Sequence, residues 1–168
     1  LWSIAAKWQI DEKIETVLTQ QGIKGNAYVS TPAPFNTFLW RAVAITEQGH
    51  YEIYASLFDA PDDIDMRFIP TRNDLLDNIQ NSKRVAMLQA FTKGLYGVYL
   101  EQNQIVISDL RMGLEGFYVF SFVVGEKVDA QVVSGDYRQL QRRPPMSGVN
   151  LIFDRISNPN VDLFQLQH

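Results

Sequence analysis

Residues 38–58, FLWRAVAITEQGHYEIYASLF, decide the fold class of this chain. The segments FLWRAVAIT and YEIYASLF are rich in β-branched and aromatic residues, which favour strands. The residues EQGH between them include a glycine and are typical of a turn. The pattern therefore predicts a β-hairpin, whose two strands pair antiparallel.

The segments on either side of the hairpin predict further strands and several helices. Short β-prone runs stand at 26–31, 95–101, 104–111 and 117–124. Apolar residues recur at helical spacing in 3–21, 72–80, 82–94 and 149–156. Strands and helices are grouped in runs and do not alternate strictly, so the sequence predicts an α+β fold. We expect a mostly antiparallel sheet of about six strands, packed with an N-terminal helix and a central pair of helices.

The length and charge of the chain limit its organisation and its partners. The 168 residues predict an N-terminal helix over 1–24 and a single soluble α+β domain over 25–168. A net charge of −4 repels the phosphates of nucleic acid. The one dense basic stretch, YRQLQRRPP at 137–145, is interpreted as a solvated loop, so we expect no nucleic-acid partner.

Residues that commonly carry catalysis or bind metals are scarce. The chain has no cysteine and two histidines: His50 falls in the predicted hairpin turn, and His168 is the last residue. Neither is placed to complete a zinc site or a nucleophile and base pair. The aspartates within 59–65 lack the glycine and glutamate of a calcium loop, which favours a solvated acidic loop. We therefore assign no catalytic residue, no metal ligand and no cofactor to this chain.

Charged residues inside apolar strands are the first candidates for ligand binding. Arg41 shares a strand face with apolar neighbours, and Asp109 and Arg111 share a face if their strand continues through Arg111. An unpaired charge is costly in such a half-buried place. The three groups could therefore converge and bind a small anionic ligand through their guanidinium groups. The alternative is a structural ion pair at the sheet edge, with Arg111 extending to water.

The Pro-x-Pro-Phe-Asn stretch that precedes Arg41 adds two candidates. Pro32 and Pro34 fix their own φ angles and hold the residue between them extended. Asn36 suits a turn in which its side chain bonds the nearby backbone, and Trp40 stands beside the arginine. The alternative is a purely structural corner. The complete predicted ligand-binding set is Asn36, Trp40, Arg41, Asp109 and Arg111.

Three stretches together resemble a known bacterial family. They are TPAPFNTFLWR at 31–41, FTKGLYGV at 91–98, and DLRMG at 109–113 with the YVFSF that follows it. Their combination is similar to the C-terminal soluble part of the membrane-bound metal-dependent hydrolases, also described as LexA-binding, inner-membrane-associated hydrolases. The resemblance runs from the first helix to about residue 125 and covers most of the chain.

The resemblance implies a membrane setting. In that family, a histidine-bearing N-terminal region with several transmembrane helices carries the proposed metal chemistry, so a divalent metal would belong to that region. The helix at 1–24 would then continue from a transmembrane segment at the bacterial inner membrane, with Trp2 and Trp8 as interfacial residues. The alternative is that Trp2 and Trp8 pack in the core. The chain would be an accessory domain that binds a substrate or gates the membrane region, and would not be catalytic alone. The alternative function is a protein–protein interaction module without a small-molecule ligand.

Overall fold

The computed structural model of the protein describes residues 2–25, 27–34, 36–129, 131–142 and 147–167. Within these residues the chain forms three α-helices and ten strands, which confirms the α+β prediction. The helices are α1 (Trp2–Gln20), α2 (Lys83–Thr92) and α3 (Ser147–Ser157). The strands are β1 (Ala27–Pro32), β2 (Leu39–Ile45), β3 (Gly49–Ser56), β4 (Asp65–Pro70), β5 (Tyr96–Glu101), β6 (Gln104–Asp109), β7 (Gly113–Leu114), β8 (Phe117–Tyr118), β9 (Ser121–Val128) and β10 (Gln131–Leu140).

The contacts of the chain divide it into two compact units. The first comprises Leu1–Glu47, Tyr51–Ile69 and Pro144–His168, and the second comprises Gln48–His50 and Pro70–Arg143. One four-stranded sheet has the order β1-β2-β3-β4, and the other has the order β10-β9-β6-β5. The pairs β1–β2, β5–β6, β6–β9 and β9–β10 are antiparallel, as predicted, and β2 and β3 form the predicted hairpin. A single domain over 25–168 stays a prediction.

Helix α1 forms because its apolar residues recur every three or four positions and so share one face. The buried residues of that face are Ala6, Ile10, Ile14 and Val17. Ala6, Ile10 and Ile14 belong to a core cluster of the first unit that also contains Trp40, Ala42, Ile53 and Ala55. Gly22 follows the helix with a φ of +69°, a left-handed conformation that glycine adopts without strain. The helix predicted at 3–21 is therefore confirmed.

A buried ion pair joins α3 to the loop that follows β3 in the first unit. Arg155 Nη1 and Nη2 donate to the two carboxylate oxygens of Asp59, at 3.0 and 2.8 Å. Asp59 Oδ2 also accepts a hydrogen bond from the backbone N–H of Ser56 at 2.8 Å. The expectation that this aspartate lies in a solvated loop is wrong, because Arg155 and the backbone compensate its buried charge.

The second unit is built around the β5–β6 hairpin. Gln102 and Asn103 connect the two strands with φ angles of 46° and 68°, which suit the tight turn that the sequence predicts. Helix α2 and the preceding 3₁₀ turn (Asn73–Leu76) supply apolar side chains to the core of this sheet. The buried core residues are Leu75, Leu76, Ile79, Val85, Leu88, Val98, Ile105, Ile107 and Val124.

Residues 72–80 form a 3₁₀ turn and further turns, where the sequence predicts the first of two central α-helices. Arg72 Nη2 donates to Asp74 Oδ2 at 2.8 Å, and Gln80 Nε2 donates to Asp77 Oδ1 at 2.8 Å. Short polar side chains such as these aspartates compete for local hydrogen bonds and weaken a regular helix. The apolar spacing of this segment still identifies residues that are buried.

Strand β10 contains part of the stretch that the sequence predicts to be a solvated loop. Its pairing with β9 shifts between Ser134 and Arg138, so the alternation of apolar and polar residues is interrupted. Arg138 Nη2 donates to Gln104 Oε1 at 2.8 Å, and Arg142 contacts the carboxylate of Glu101. The loop prediction is therefore wrong for 137–140, while residues 143–145 and His168 lie outside the described residues.

Candidate functional site

The turn between β1 and β2 is held by the side chain of Asn36. Its Oδ1 accepts hydrogen bonds from the backbone N–H groups of Phe38 at 3.0 Å and Leu39 at 2.7 Å. Its Nδ2 donates to the carbonyl oxygen of Pro34 at 3.1 Å. The turn role predicted for Asn36 is confirmed, and these bonds fix the direction in which β2 begins.

An apolar groove lies beside this turn in the first unit, with a volume of about 790 Å³. Its lining residues are Pro32, Ala33, Asn36, Thr37, Phe38, Phe153 and Ile156. The side-chain polar atoms of Asn36 are already hydrogen-bonded to the backbone, so the groove presents chiefly apolar surface. Of the predicted ligand-binding set, Asn36 lines this groove.

A row of three exposed aromatic residues, Trp2, Phe38 and Phe58, continues from the groove. The ring centres of Trp2 and Phe38 are 6.2 Å apart, and those of Phe38 and Phe58 are 5.8 Å apart with nearly parallel planes. Trp2 Nε1 donates to Thr37 Oγ1 at 3.3 Å. The three side chains remain 59%, 39% and 67% exposed, so they form a contiguous apolar surface. Sequence reasoning missed Phe58 because its proximity to the turn depends on tertiary folding.

Trp40 lies in the core of the first unit. It is 3% exposed and belongs to the cluster that includes Ile10 and Ile53. Its Nε1 donates to the carbonyl oxygen of Thr37 at 3.0 Å, and Lys7 Nζ lies 5.9 Å from the centre of its ring. The packing of Trp40 accounts for its place in the sequence, while ligand contact by Trp40 stays a prediction.

Arg41 forms a buried ion pair with Glu52. Arg41 Nε and Nη2 donate to the two carboxylate oxygens of Glu52, the latter at 2.8 Å, and the side chains are 3% and 0% exposed. The hydroxyl group of Tyr54 donates to Glu52 Oε1 at 3.0 Å. The Glu52 carboxylate therefore offsets the charge of Arg41, which lies in the apolar strand β2. Glu52 was missed, although it is the acidic residue of the partner strand in the predicted hairpin.

Asp109 and Arg111 pair with each other in the second unit. Strand β6 ends at Asp109, so the continuation of the strand through Arg111 is wrong: the chain turns, and Arg111 folds back. Arg111 Nε donates to Asp109 Oδ1 at 2.9 Å and Nη2 to Oδ2 at 2.6 Å. These hydrogen bonds raise the pKa of the Arg111 guanidinium. Asp109 is buried, whereas the Arg111 side chain is 27% exposed.

The predicted convergence of Arg41 with Asp109 and Arg111 stays a prediction, since the two ion pairs belong to different units. Within its own unit each arginine binds a carboxylate through two nitrogens. A guanidinium group engaged in this way has few donors left for a small anion. Within each unit, the contacts of these residues match the alternative interpretation, in which the arginines form structural ion pairs.

His50 lies in strand β3 and is buried, so the turn position that the sequence predicts for it is wrong. Within the second unit its Nε2 lies 3.3 Å from Glu115 Oε2 and 3.4 Å from the hydroxyl oxygen of Tyr118. The Tyr118 hydroxyl group donates to the same Glu115 oxygen. Histidine and glutamate are residue types that bind metals, and here the Tyr118 hydroxyl group engages the Glu115 oxygen that lies near His50.

A second polar cluster ties α1 to β1 in the first unit. Asp11 Oδ1 accepts hydrogen bonds from the hydroxyl groups of Ser30 at 2.6 Å and Tyr28 at 2.9 Å, and Oδ2 accepts one from Lys7 Nζ at 2.8 Å. Burial works to raise the pKa of Asp11, but these three donors outweigh the effect of burial, and the pKa lies below its usual value. Burial and the Asp11 charge raise the pKa of Tyr28, which keeps its hydroxyl group protonated.

Comparison with protein-family models, with curated proteins and with solved structures gives no significant match to this chain. The resemblance to the membrane-bound hydrolases therefore stays a prediction that rests on the three stretches quoted above. Among the described residues, no helix combines the length and the apolar character that a membrane span requires.

Proposed function

We propose that this chain is a soluble accessory domain of a membrane-bound hydrolase, and that the first unit contacts the membrane interface through the aromatic row and the apolar groove. The observation that carries the proposal is the row of Trp2, Phe38 and Phe58, which stands exposed where α1 begins. An accessory role fits a chain whose apolar surface, rather than a catalytic pair, is its most distinct feature.

The distribution of residues along α1 supports a membrane contact. Ile4 and Trp8 are 73% and 69% exposed, and Lys7 is the one charged residue before position 11. The second half of the helix carries four charged residues, Asp11, Glu12, Lys13 and Glu15. Tryptophan is favoured where an apolar environment meets water, because its ring is large and apolar and its N–H group needs a partner. The start of α1 is therefore suited to an interface and its second half to water.

Co-sedimentation of the purified chain with phosphatidylethanolamine and phosphatidylglycerol vesicles tests the proposal. We expect binding, with tryptophan emission shifting to shorter wavelength, because Trp2 and Trp8 are exposed while Trp40 is already buried. The variant Trp2→Ser/Phe58→Ser should bind more weakly. Val128→Ser/Val133→Ser removes two exposed apolar residues of the second unit and should bind as the native chain does. Absence of vesicle binding by the native chain would contradict a membrane contact.

The second candidate function is a protein–protein interaction module without a small-molecule ligand. It is favoured by the pairing of Arg41 with Glu52 and of Arg111 with Asp109, because paired guanidinium groups are poor receptors for a free anion. A thermal-shift screen against phosphate esters, carboxylates and divalent metals should then leave the midpoint unchanged. A ligand at about 100 times its dissociation constant would add about 2.7 kcal/mol. An anion-induced shift that Arg111→Leu abolishes would favour a small anionic ligand instead.

A further inference from the structure

The surface of helix α2 in the second unit exposes large apolar side chains. Met87 and Phe91, one turn apart, are 57% and 53% exposed. Met112 and Val119 are 53% and 47% exposed and adjoin each other, since the Val119 backbone N–H donates to the Met112 carbonyl oxygen at 3.1 Å. Exposed apolar residues that lie together mark interaction surfaces, whereas single ones are ordinary.

Arg111 joins these two groups of residues into one surface. Its Nη2 donates to the carbonyl oxygen of Phe91 at 3.0 Å, and its guanidinium carbon lies 5.1 Å from the centre of the Phe91 ring. Phe91 also meets Phe120 edge to face, with ring centres 6.2 Å apart. The stretches FTKG and DLRMG, separated by 14 residues of sequence from Leu95 to Ser108, therefore meet at this place.

The same surface is basic, although the chain as a whole is acidic. Residues 82–94 include Lys83, Arg84 and Lys93 but no aspartate or glutamate, in a chain with a net charge of −4. All three side chains are exposed. In the described part of the chain, neither lysine has a carboxylate within salt-bridge distance. Lys83 begins α2 and Lys93 follows its last residue, so the two lysines are about 15 Å apart along the helix axis.

We propose that this α2 surface binds an acidic segment of a protein partner. The surface is defined by Lys83, Arg84, Met87, Phe91, Lys93, Arg111, Met112 and Val119. The partner would place carboxylates near Lys83 and Lys93 and apolar side chains over Met87 and Phe91. The choice of partner rests on charge complementarity: Lys83 and Lys93 stand exposed at the two ends of the apolar stripe, and residues 82–94 contain no aspartate or glutamate. The carboxylate of Asp109, which binds Arg111, is buried.

The arrangement of the surface favours a peptide segment over a lipid membrane. Lys83, Met87 and Phe91 follow one another at intervals of four residues, so charge and apolar groups lie along one ridge of the helix. A linear segment can match such an order, whereas a helix that lies on a bilayer has its apolar residues on a face separate from its charged residues. Methionine is flexible and polarizable, which suits adaptable protein surfaces.

Selection of peptides from a random display library on the immobilised chain tests this proposal. We expect the selected peptides to carry Asp or Glu on both sides of apolar residues. Reversing two charges with Lys83→Glu/Lys93→Glu should weaken their binding about tenfold or more, because two favourable pairs become repulsive. Met87→Ser should weaken it as well, and added salt should reduce the affinity for the native chain.

Lys24→Glu/Arg138→Glu is the matched control, since it makes the same change in net charge at two exposed positions outside the α2 surface. It should leave binding within about twofold. The proposal is overturned if the library yields no peptide, or if the selected peptides bind both double variants alike. It is also overturned in favour of lipid if only anionic vesicles bind and Lys83→Glu/Lys93→Glu abolishes that binding. Vesicle binding that Trp2→Ser/Phe58→Ser weakens belongs to the aromatic row of the first unit and is separate from binding at the α2 surface.

Discussion

At the scale of single residues, the Arg41–Glu52 pair shows how a charge is kept inside an apolar strand. Loss of one member leaves the other charge buried without its main partner, which costs more than the intact pair contributes. For Glu52→Ala we therefore expect the free energy of unfolding to fall by about 3–5 kcal/mol. Urea unfolding monitored by circular dichroism measures this change.

Two controls separate burial from charge in that experiment. Arg72→Ala removes a surface pair with Asp74 and should leave the urea midpoint unchanged. Arg41→Met/Glu52→Leu replaces both buried charges by apolar groups and should recover most of the lost stability. If Glu52→Ala were as stable as the native chain, Arg41 would have an adequate alternative environment, and its guanidinium would again be a candidate for binding anions.

Asp11 should make the free energy of unfolding depend on pH, with the fold more stable above the pKa of this residue than below it. Its folded pKa lies below the usual value, so its hydrogen-bonded charge stabilises the fold above the unfolded pKa of about 3.9. That contribution is lost as the pH falls through the folded pKa. We expect the difference in urea midpoint between the native chain and Asp11→Asn to be largest above about pH 5 and to shrink below about pH 4. A difference that is constant with pH would contradict this role.

At the scale of elements, the β5–β6 hairpin carries a correctable strain. Gln102 and Asn103 both have positive φ. This left-handed conformation costs a residue with a side chain about 1–2 kcal/mol, whereas glycine adopts it freely and asparagine adopts it at a smaller cost. Asn-Gly is the preferred pair for this turn. Gln102→Asn/Asn103→Gly should therefore raise the free energy of unfolding by about 1 kcal/mol. Thermal unfolding measures the gain.

A substitution that is unfavourable at positive φ provides the control for the hairpin. Asn103→Val places a β-branched residue where φ is positive and should lower stability, while the rest of the sheet is unaltered. Equal stability of the two turn variants would show that the conformation of this turn does not affect the free energy of unfolding.

Most elements could be predicted because their signals are local. The buried face of α1 follows from spacing alone, and the β2–β3 hairpin follows from two β-prone runs and a short turn. Strand β10 could not be predicted, since the register shift after Ser134 interrupts its alternation. The site was predicted in part: Asn36 lines the groove, but Phe153 reaches the groove, and Phe58 reaches the aromatic row, only through tertiary folding.

At the scale of the whole molecule, the second unit has a core of its own. Every residue of the buried cluster from Leu75 to Val124 lies within residues 70–143. Domains of about 55–65 residues can fold alone when their core is sufficient. We therefore expect a fragment of residues 70–143 to fold independently, with dispersed amide signals in its NMR spectrum. Poorly dispersed amide signals would favour the single domain that the length of the chain predicts.

The division into two units could not be predicted from sequence. A boundary is recognised by a change in composition or by a linker, whereas here β4 ends at Pro70 and the next turn begins at Asn73. Strands before and after this point have similar apolar content. Sequence patterns show which residues are buried, but not which of two cores receives them.

The order of segments along the chain also sets an order of events on the ribosome. Asp59 and Arg155 are 96 residues apart, so at about 5–20 residues per second translation supplies the arginine roughly 5–20 seconds after the aspartate. The whole of residues 70–143 is synthesised during that interval, before α3 is complete. The unit that translation begins first is thus the one that it completes last.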